Sequence, residues 1–248
     1  MLTKPKNQIE LNQIRKNGEI HKKIIEEVKK IAIEGTNGKQ INDLVLNLCK
    51  HYNVEPAFTG IMGFKGAICI NINHCVAHGE PSKYKFQSGD VVTFDFGIRD
   101  KELGLNTDAA FTMIIGTPAH PEVERFLRIN QGALMAGIKK AVPGNRVGDI
   151  GEAIEKFLEN SGFHIIKDLK GHGIGYKVHE KPNILNYKTT DKGQRLLENM
   201  TICIEPLLGF NSGKISQDEN GIYVDDGSLG SQFEHMIVIK KPYPEIIV

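Results

Sequence analysis

Val91-Val92-Thr93-Phe94-Asp95 and Thr201-Ile202-Cys203-Ile204-Glu205 are two runs of β-branched and apolar residues, each of which reaches an acid. Such composition predicts short strands. Upstream of each stands a His-x-x-Pro, His78-Gly79-Glu80-Pro81 and His179-Glu180-Lys181-Pro182. Further upstream lies a helix opening of one pattern, Ile41-x-Asp43-Leu44-x-x-x-Leu48 and Val147-x-Asp149-Ile150-x-x-x-Ile154. The three correspondences keep their order at offsets of 110, 101 and 106 residues. Any one of them is weak, but the ordered set predicts a duplicated helix–loop–strand unit, with two similar halves facing a shared site.

The 248 residues suffice for a large core, and no Pro-, Gly- and Ser-rich linker divides them, so one compact domain is expected. Apolar periodicity predicts helices over 8–34, 41–52, 121–141 and 147–160, the third with Pro121 in its first turn. Strands are expected over 91–98, 109–115, 201–205 and 232–239. The net charge of +1 argues against binding nucleic acid by phosphate neutralisation. Residues 1–30 hold eight Lys or Arg against four Glu, which reads first as the solvated face of an amphipathic helix and second as a docking surface for an acidic partner. Cys49, Cys69, Cys75 and Cys203 form no C-x-x-C pair, so neither disulfides nor a structural zinc are expected. The opening residues lack the apolar run of a signal peptide, and no stretch is apolar for the ~18–20 residues that a membrane span requires. The expectation is a reduced, cytoplasmic protein.

The informative residues are acids within apolar strands. Alternation puts Val91, Thr93 and Asp95 on one face of their strand, and Asp108, Ala110, Thr112 and Ile114 on one face of the next. The turn-rich 99–107 segment allows a hairpin that joins Asp95 to Asp108. Thr201, Cys203 and Glu205 share a face, as do Gln232, Glu234, Met236 and Val238. A buried unpaired carboxylate costs several kcal/mol, a large part of a domain's whole stability. None of these strands carries a same-face Lys or Arg. Four converging acids therefore point to divalent cations. His172, in Gly171-His172-Gly173-Ile174-Gly175, can add an imidazole, because glycines allow close backbone approach. That run is not a phosphate loop, since no Gly-Lys-Ser/Thr follows. His179-Glu180 is not a zincin motif, because Asn183 takes the second His position and Pro182 would break the helix. His21, His51, His120 and His164 read as exposed. Carboxylates with one imidazole suit a two-metal centre of Mn, Fe(II) or Co(II), as in many hydrolases, and a cysteine-bound zinc does not fit.

The ordered set Asn73, His78-Gly-x-Pro81, Asp95, Asp108, Gly171-His172-Gly173-Ile174-Gly175, His179-Glu180-x-Pro182, Ile204-Glu205-Pro206 and Gln232-Phe233-Glu234-His235 closely resembles the methionine aminopeptidases over nearly the whole chain. With Glu205 only 26 positions after His179 there is no room for the helical insertion of the type II enzymes, so the chain resembles the short bacterial type I form. The resemblance implies an α+β "pita-bread" fold with pseudo-two-fold symmetry, an antiparallel sheet with helices on its outer face. The halves would run roughly over 1–115 and 121–248 of a single peptidase domain, 1–248. It implies Asp95, Asp108, His172, Glu205 and Glu234 as ligands of two divalent metal ions, with Asp108 and Glu234 bridging. Glu205 would also help activate a metal-bridged hydroxide. His78 and His179 would contact substrate and the tetrahedral intermediate. The implied reaction removes the initiator methionine from nascent polypeptides with a small second residue, in the cytoplasm, by a monomer whose Lys-rich first helix is a candidate contact for the ribosome. Positions matching the methionine pocket are Phe58, Ile61, Phe64, Cys69, Val178 and Ile222, fewer of them aromatic than is usual, with Lys65 where Pro is common and Met236 where Thr is.

Two other assignments keep this fold. A prolidase or proline-specific aminopeptidase normally carries an extra N-terminal domain that 248 residues cannot hold. A non-catalytic peptide-binding relative typically loses ligands, whereas all five are present here.

Overall fold

The computed structural model describes residues 3–248. Four helices stand among them: α1 (Gln8–Ile31), α2 (Gly38–His51), α3 (Pro121–Ile138) and α4 (Val147–Leu158). They match the expected positions, with ends that differ by up to three residues. Asn7 and Asn37 explain where the first two begin. Each side chain accepts from the N3 backbone N–H, while Glu10 or Gln40 reaches back to the cap, which satisfies donors that the helix leaves free.

Nine strands among the described residues form an antiparallel sheet. Its main path runs Val54–Pro56, Val91–Asp100, Asn106–Ile114, Glu234–Val238, Thr201–Ile204, Gly171–Gly173, Glu180–Ile184. Cys69–Ile72 lies along Val91–Asp100 much as Gly171–Gly173 lies along Thr201–Ile204. The expected 232–239 strand is broken at Phe233, so Gly230–Gln232 joins a separate small sheet with Leu207–Gly209.

The helices cover the sheet in two pairs. Val92, Phe94, Phe96 and Ile98 are buried against Ile24, Val28, Ile41 and Val45 of α1 and α2. Ile202, Ile204 and Ile237 are buried against Phe126, Leu134, Ile150 and Ile154 of α3 and α4. Removing that much apolar surface from water, at about 25 cal/mol per Å², is the main term holding the helices to the sheet.

His21 departs from expectation. It is fully buried on α1 against Phe96, with Nδ1 3.1 Å from Thr107 Oγ1. Its neighbours one turn away, Asn17 and Ile24, are buried too, so it lies on the stripe that faces the core. Lys6 is also buried rather than solvated, with Nζ 3.3 Å from Thr3 Oγ1. Lys22, Lys29 and Lys30 are exposed and paired with Glu19, Glu26 and Glu27 one turn back. Such exposed pairs contribute little to stability, because solvent and salt screen them. Among the described residues, no helix is long and apolar enough to cross a membrane.

Candidate metal centre

Strand register assembles the acids. Asp95 and Glu234 both stand opposite Ala110, one from each side, and Asp108 stands two residues before Ala110, opposite Gly97. Directly paired residues, and residues two apart on a strand, share a face, so all three acids emerge together. The small side chain of Ala110 leaves the space between them open. His172 pairs with Cys203, which pairs with Met236 on its other side, two residues past Glu234. Glu205 follows on Cys203's face, just beyond the strand end. The glycines beside His172 are needed for contact. A Cβ on Gly171 would collide with the Cys203 carbonyl oxygen, and one on Gly173 would stand 2.6 Å from that of Lys181.

His172 Nε2 lies 3.6 Å from Glu205 Oε1, 3.8 Å from Asp108 Oδ2 and 3.9 Å from Glu234 Oε1. Its Nδ1 is 3.0 Å from the Gly173 carbonyl oxygen, which can only accept, so Nδ1 carries the proton and Nε2 turns a lone pair toward the acids. Burial pushes the His172 pKa down to about 3, keeping the ring neutral. Burial first, then neighbouring acids, raises Asp108, Glu205 and Glu234, and burial lifts Asp95 to about 7. Among the described residues no lysine or arginine pairs with any of the four, and Asp95 Oδ1, Asp108 Oδ1 and Glu234 Oε1 are buried without a hydrogen-bond partner. Four carboxylates facing an imidazole lone pair, with no lysine or arginine among them, fit a divalent cation.

These residues floor a cavity of about 530 Å³. Of the residues expected at the site, Phe58, Ile61, Phe64, Cys69, His78 and His179 line it, together with Asp95, Asp108, His172, Glu205 and Glu234. Val178 and Ile222 are buried and not among the lining residues; Ile222 packs instead with Val76, Ala77 and Leu207. The backbone of Ile222 pairs with Ala77, and its neighbour Gly221 reaches the cavity wall. His78 has φ 59°, a left-handed conformation that an L-residue adopts at some cost. Next to it, the Gly79 N–H donates to Asn71 Oδ1 at 2.7 Å, and this pins the turn. The His179 ring stands edge-on to that of His172, with centroids 4.5 Å apart. Burial lowers both His78 and His179, and their proximity lowers His179 further.

Two residues gained no role from the sequence. Gln232 Nε2 donates to Glu205 Oε2 at 3.0 Å and so orients that carboxylate. The Cys203 thiol stands among the ligand atoms of Asp108, His172 and Glu234. Strand alternation put Cys203 on the face of Glu205, which was the available signal, whereas Gln232 reaches the site from a separate small sheet beyond the break at Phe233.

The model of metallopeptidase family M24 matches residues 12–241. A methionine aminopeptidase from Clostridium perfringens is 32% identical over 244 residues, covering 98% of this chain and 97% of the relative. The crystal structure of the methionine aminopeptidase from Thermotoga maritima superposes with a TM-score of 0.94 at 35% identity over 99% of both chains. The chain belongs to family M24, among the methionine aminopeptidases. The pseudo-two-fold pita-bread fold of that family is the arrangement described above. Prolidase from Pyrococcus furiosus shares the fold at a TM-score of 0.77 and 24% identity, but this chain covers only 64% of it.

Proposed function

We propose that the cavity removes an N-terminal methionine from polypeptides whose second residue is small, using a pair of divalent cations (Mn, Fe(II) or Co(II)). The observation that carries this is the set of four carboxylates without a basic partner, three of them with a buried oxygen that lacks any hydrogen bond, and one imidazole lone pair, beneath a wall that bears both His-x-x-Pro histidines.

Asp95, Asp108, His172, Glu205 and Glu234 would hold the cations, with Asp108 and Glu234 at the shared centre. Bound there, divalent cations supply Lewis acidity toward a scissile carbonyl and a water nucleophile. Glu205 has one oxygen fixed by Gln232, which leaves the other free to take a proton from that water. His78 and His179 are kept neutral by burial, so each ring offers a single N–H to the oxygen where negative charge develops. Phe58, Ile61, Phe64 and Cys69 provide apolar, polarizable surface suited to a methionine side chain. Residues 1–248 act in this scheme as one catalytic domain with halves meeting near 115–121. Cys49, Cys69, Cys75 and Cys203 are all free thiols, in keeping with work in the reducing cytoplasm on nascent chains.

The test is hydrolysis of Met-Ala-Ser by protein stripped with chelator and then resupplied with Mn, Fe(II) or Co(II), with Ala-Pro as a control for a prolidase. Activity on Met-Ala-Ser should vanish and return. Full turnover by protein shown to be metal-free would overturn the proposal.

A further inference from the structure

We infer that Cys203 is a sulfur ligand beneath the carboxylate floor, and that it adapts this centre to zinc-type cations such as Zn(II), Co(II) and Cd(II). The inference rests on the cation-binding reading above, adds a donor outside the five residues already assigned, and reverses the sequence expectation that no cysteine binds the metal.

The geometry points to the thiol. One ligand atom each from Asp108, His172, Cys203 and Glu234 can be chosen so that all four lie within 4.8 Å of one another. Cys203 is fully buried, and it backs the floor rather than lining the cavity. It stands directly across the strand pair from His172, so both side chains rise from one face. A four-ligand site with metal–ligand bonds of ~2.0–2.3 Å has ligand–ligand edges of about 3.3–3.8 Å. The His172–Asp108 separation of 3.8 Å is at the upper end of that range, and the His172–Glu234 separation of 3.9 Å lies just beyond it.

A second observation comes from the acids. Asp108 Oδ1 and Glu234 Oε1 are buried without a partner, in residues 2% and 3% exposed. A cation seated deep enough to meet them is within reach of sulfur. The donor set then becomes one sulfur, one imidazole nitrogen and two carboxylate oxygens. Oxygen-preferring Mn(II) gains little from sulfur, whereas Zn(II), Co(II) and Cd(II) gain much. As the metal–sulfur bond forms, the S–H bond breaks and its proton passes to solvent, so the thiolate offsets one of the cation's two charges.

The experiment is a Co(II) titration of chelator-treated protein, with bound cobalt counted by mass spectrometry and near-ultraviolet absorption recorded for thiolate-to-cobalt charge transfer. Wild type and Cys69→Ser should show the band, and Cys203→Ser should bind cobalt without it. In competition, Cys203→Ser should lose at least about tenfold in Cd(II) affinity, the usual range for losing a supporting group at a metal site, while Mn(II) affinity changes far less. Cadmium-113 NMR of the unaltered protein reads the same bond without a substitution, because a sulfur ligand moves the resonance far downfield. Cobalt bound with no band in wild type, a band that survives in Cys203→Ser, or an upfield cadmium resonance would each overturn the inference and leave the peptidase proposal standing. No metal bound at all would sink both.

Discussion

Thr112→Val replaces a buried hydroxyl with a methyl of nearly the same shape, and it tests whether a hydrogen-bonded chain underlies the centre. Thr112 Oγ1 is 2.7 Å from Thr93 Oγ1, donates to the Gln232 carbonyl at 2.6 Å, and accepts from the Gln232 N–H at 3.1 Å. Since Thr112 has one proton and the carbonyl can only accept, Thr93 must donate to Thr112. Valine therefore orphans three groups at once: the Thr93 hydroxyl and both backbone groups of Gln232. Thr93 and Gln232 are 1% and 2% exposed, so water cannot replace the lost partner. At the lower limit of about 1 kcal/mol for each buried unsatisfied group, the loss is about 3 kcal/mol. For a domain of this size that lowers Tm by about 6–12 °C. Urea unfolding followed by circular dichroism should show a lower midpoint with an unchanged slope. Thr112→Ser keeps the hydroxyl and loses only a methyl, so it should cost about 1 kcal/mol. Because Gln232 also holds Glu205, the valine variant should lose kcat on Met-Ala-Ser as well. A valine variant as stable as the serine variant would refute the three-group accounting.

Other outcomes follow from the same geometry. Mn(II) or Co(II) at about 100 times its Kd should stabilise the folded protein by about 2.7 kcal/mol in thermal melts, and an unmoved Tm would mean that the floor does not bind the cation. Asp108→Ala should lose metal together with activity, whereas His78→Ala should keep its metal and lose about 10²–10³ in kcat, as for one oxyanion donor; equal metal loss in both would reverse the assigned roles. His21 carries a pKa of about 3 when folded against 6.5 unfolded, because it is buried. The unfolded chain therefore takes up the proton first, and the stability tied to a neutral His21 is present above pH 6.5 and lost as pH falls toward 3. His21→Phe should flatten the acid limb of the stability curve over that window, and a limb of unaltered steepness would count against it.

Alternation along strands is strictly local, and it carried most of the site. It put Asp95 with Thr93, Asp108 with Ala110, and Glu205 with Cys203, each on the face where the structure has it. It could not reveal that Ala110 is shared between Asp95 and Glu234, because that needs the pairing of strands 124 residues apart in the chain. Nor could it show the break at Phe233, where the chain leaves one sheet for another. His21 was legible in principle. The core stripe of α1 passes through Ile14, Asn17, Gly18, His21, Ile24 and Val28, but two lysines following the histidine give it an exposed look. Val178 and Ile222 fail as cavity residues for another reason. Ile222 is buried among Val76, Ala77 and Leu207, and the position that meets the cavity there is Gly221, which has no side chain, while Val178 is buried beside His179 without lining the cavity.

The unlike pairing of Cys69 with Asp95 and of His172 with Cys203 has a directional consequence. Each pairing sets a short strand along a central one, and a strictly repeated set of side chains there would receive a peptide equally well from either end. One half instead offers an imidazole beside its acid, and the other offers a thiol in the wall. A trough with unlike ends can tell the amino end of a chain from its carboxyl end before any bond is touched, and polarity of that kind is what trimming from a single terminus demands.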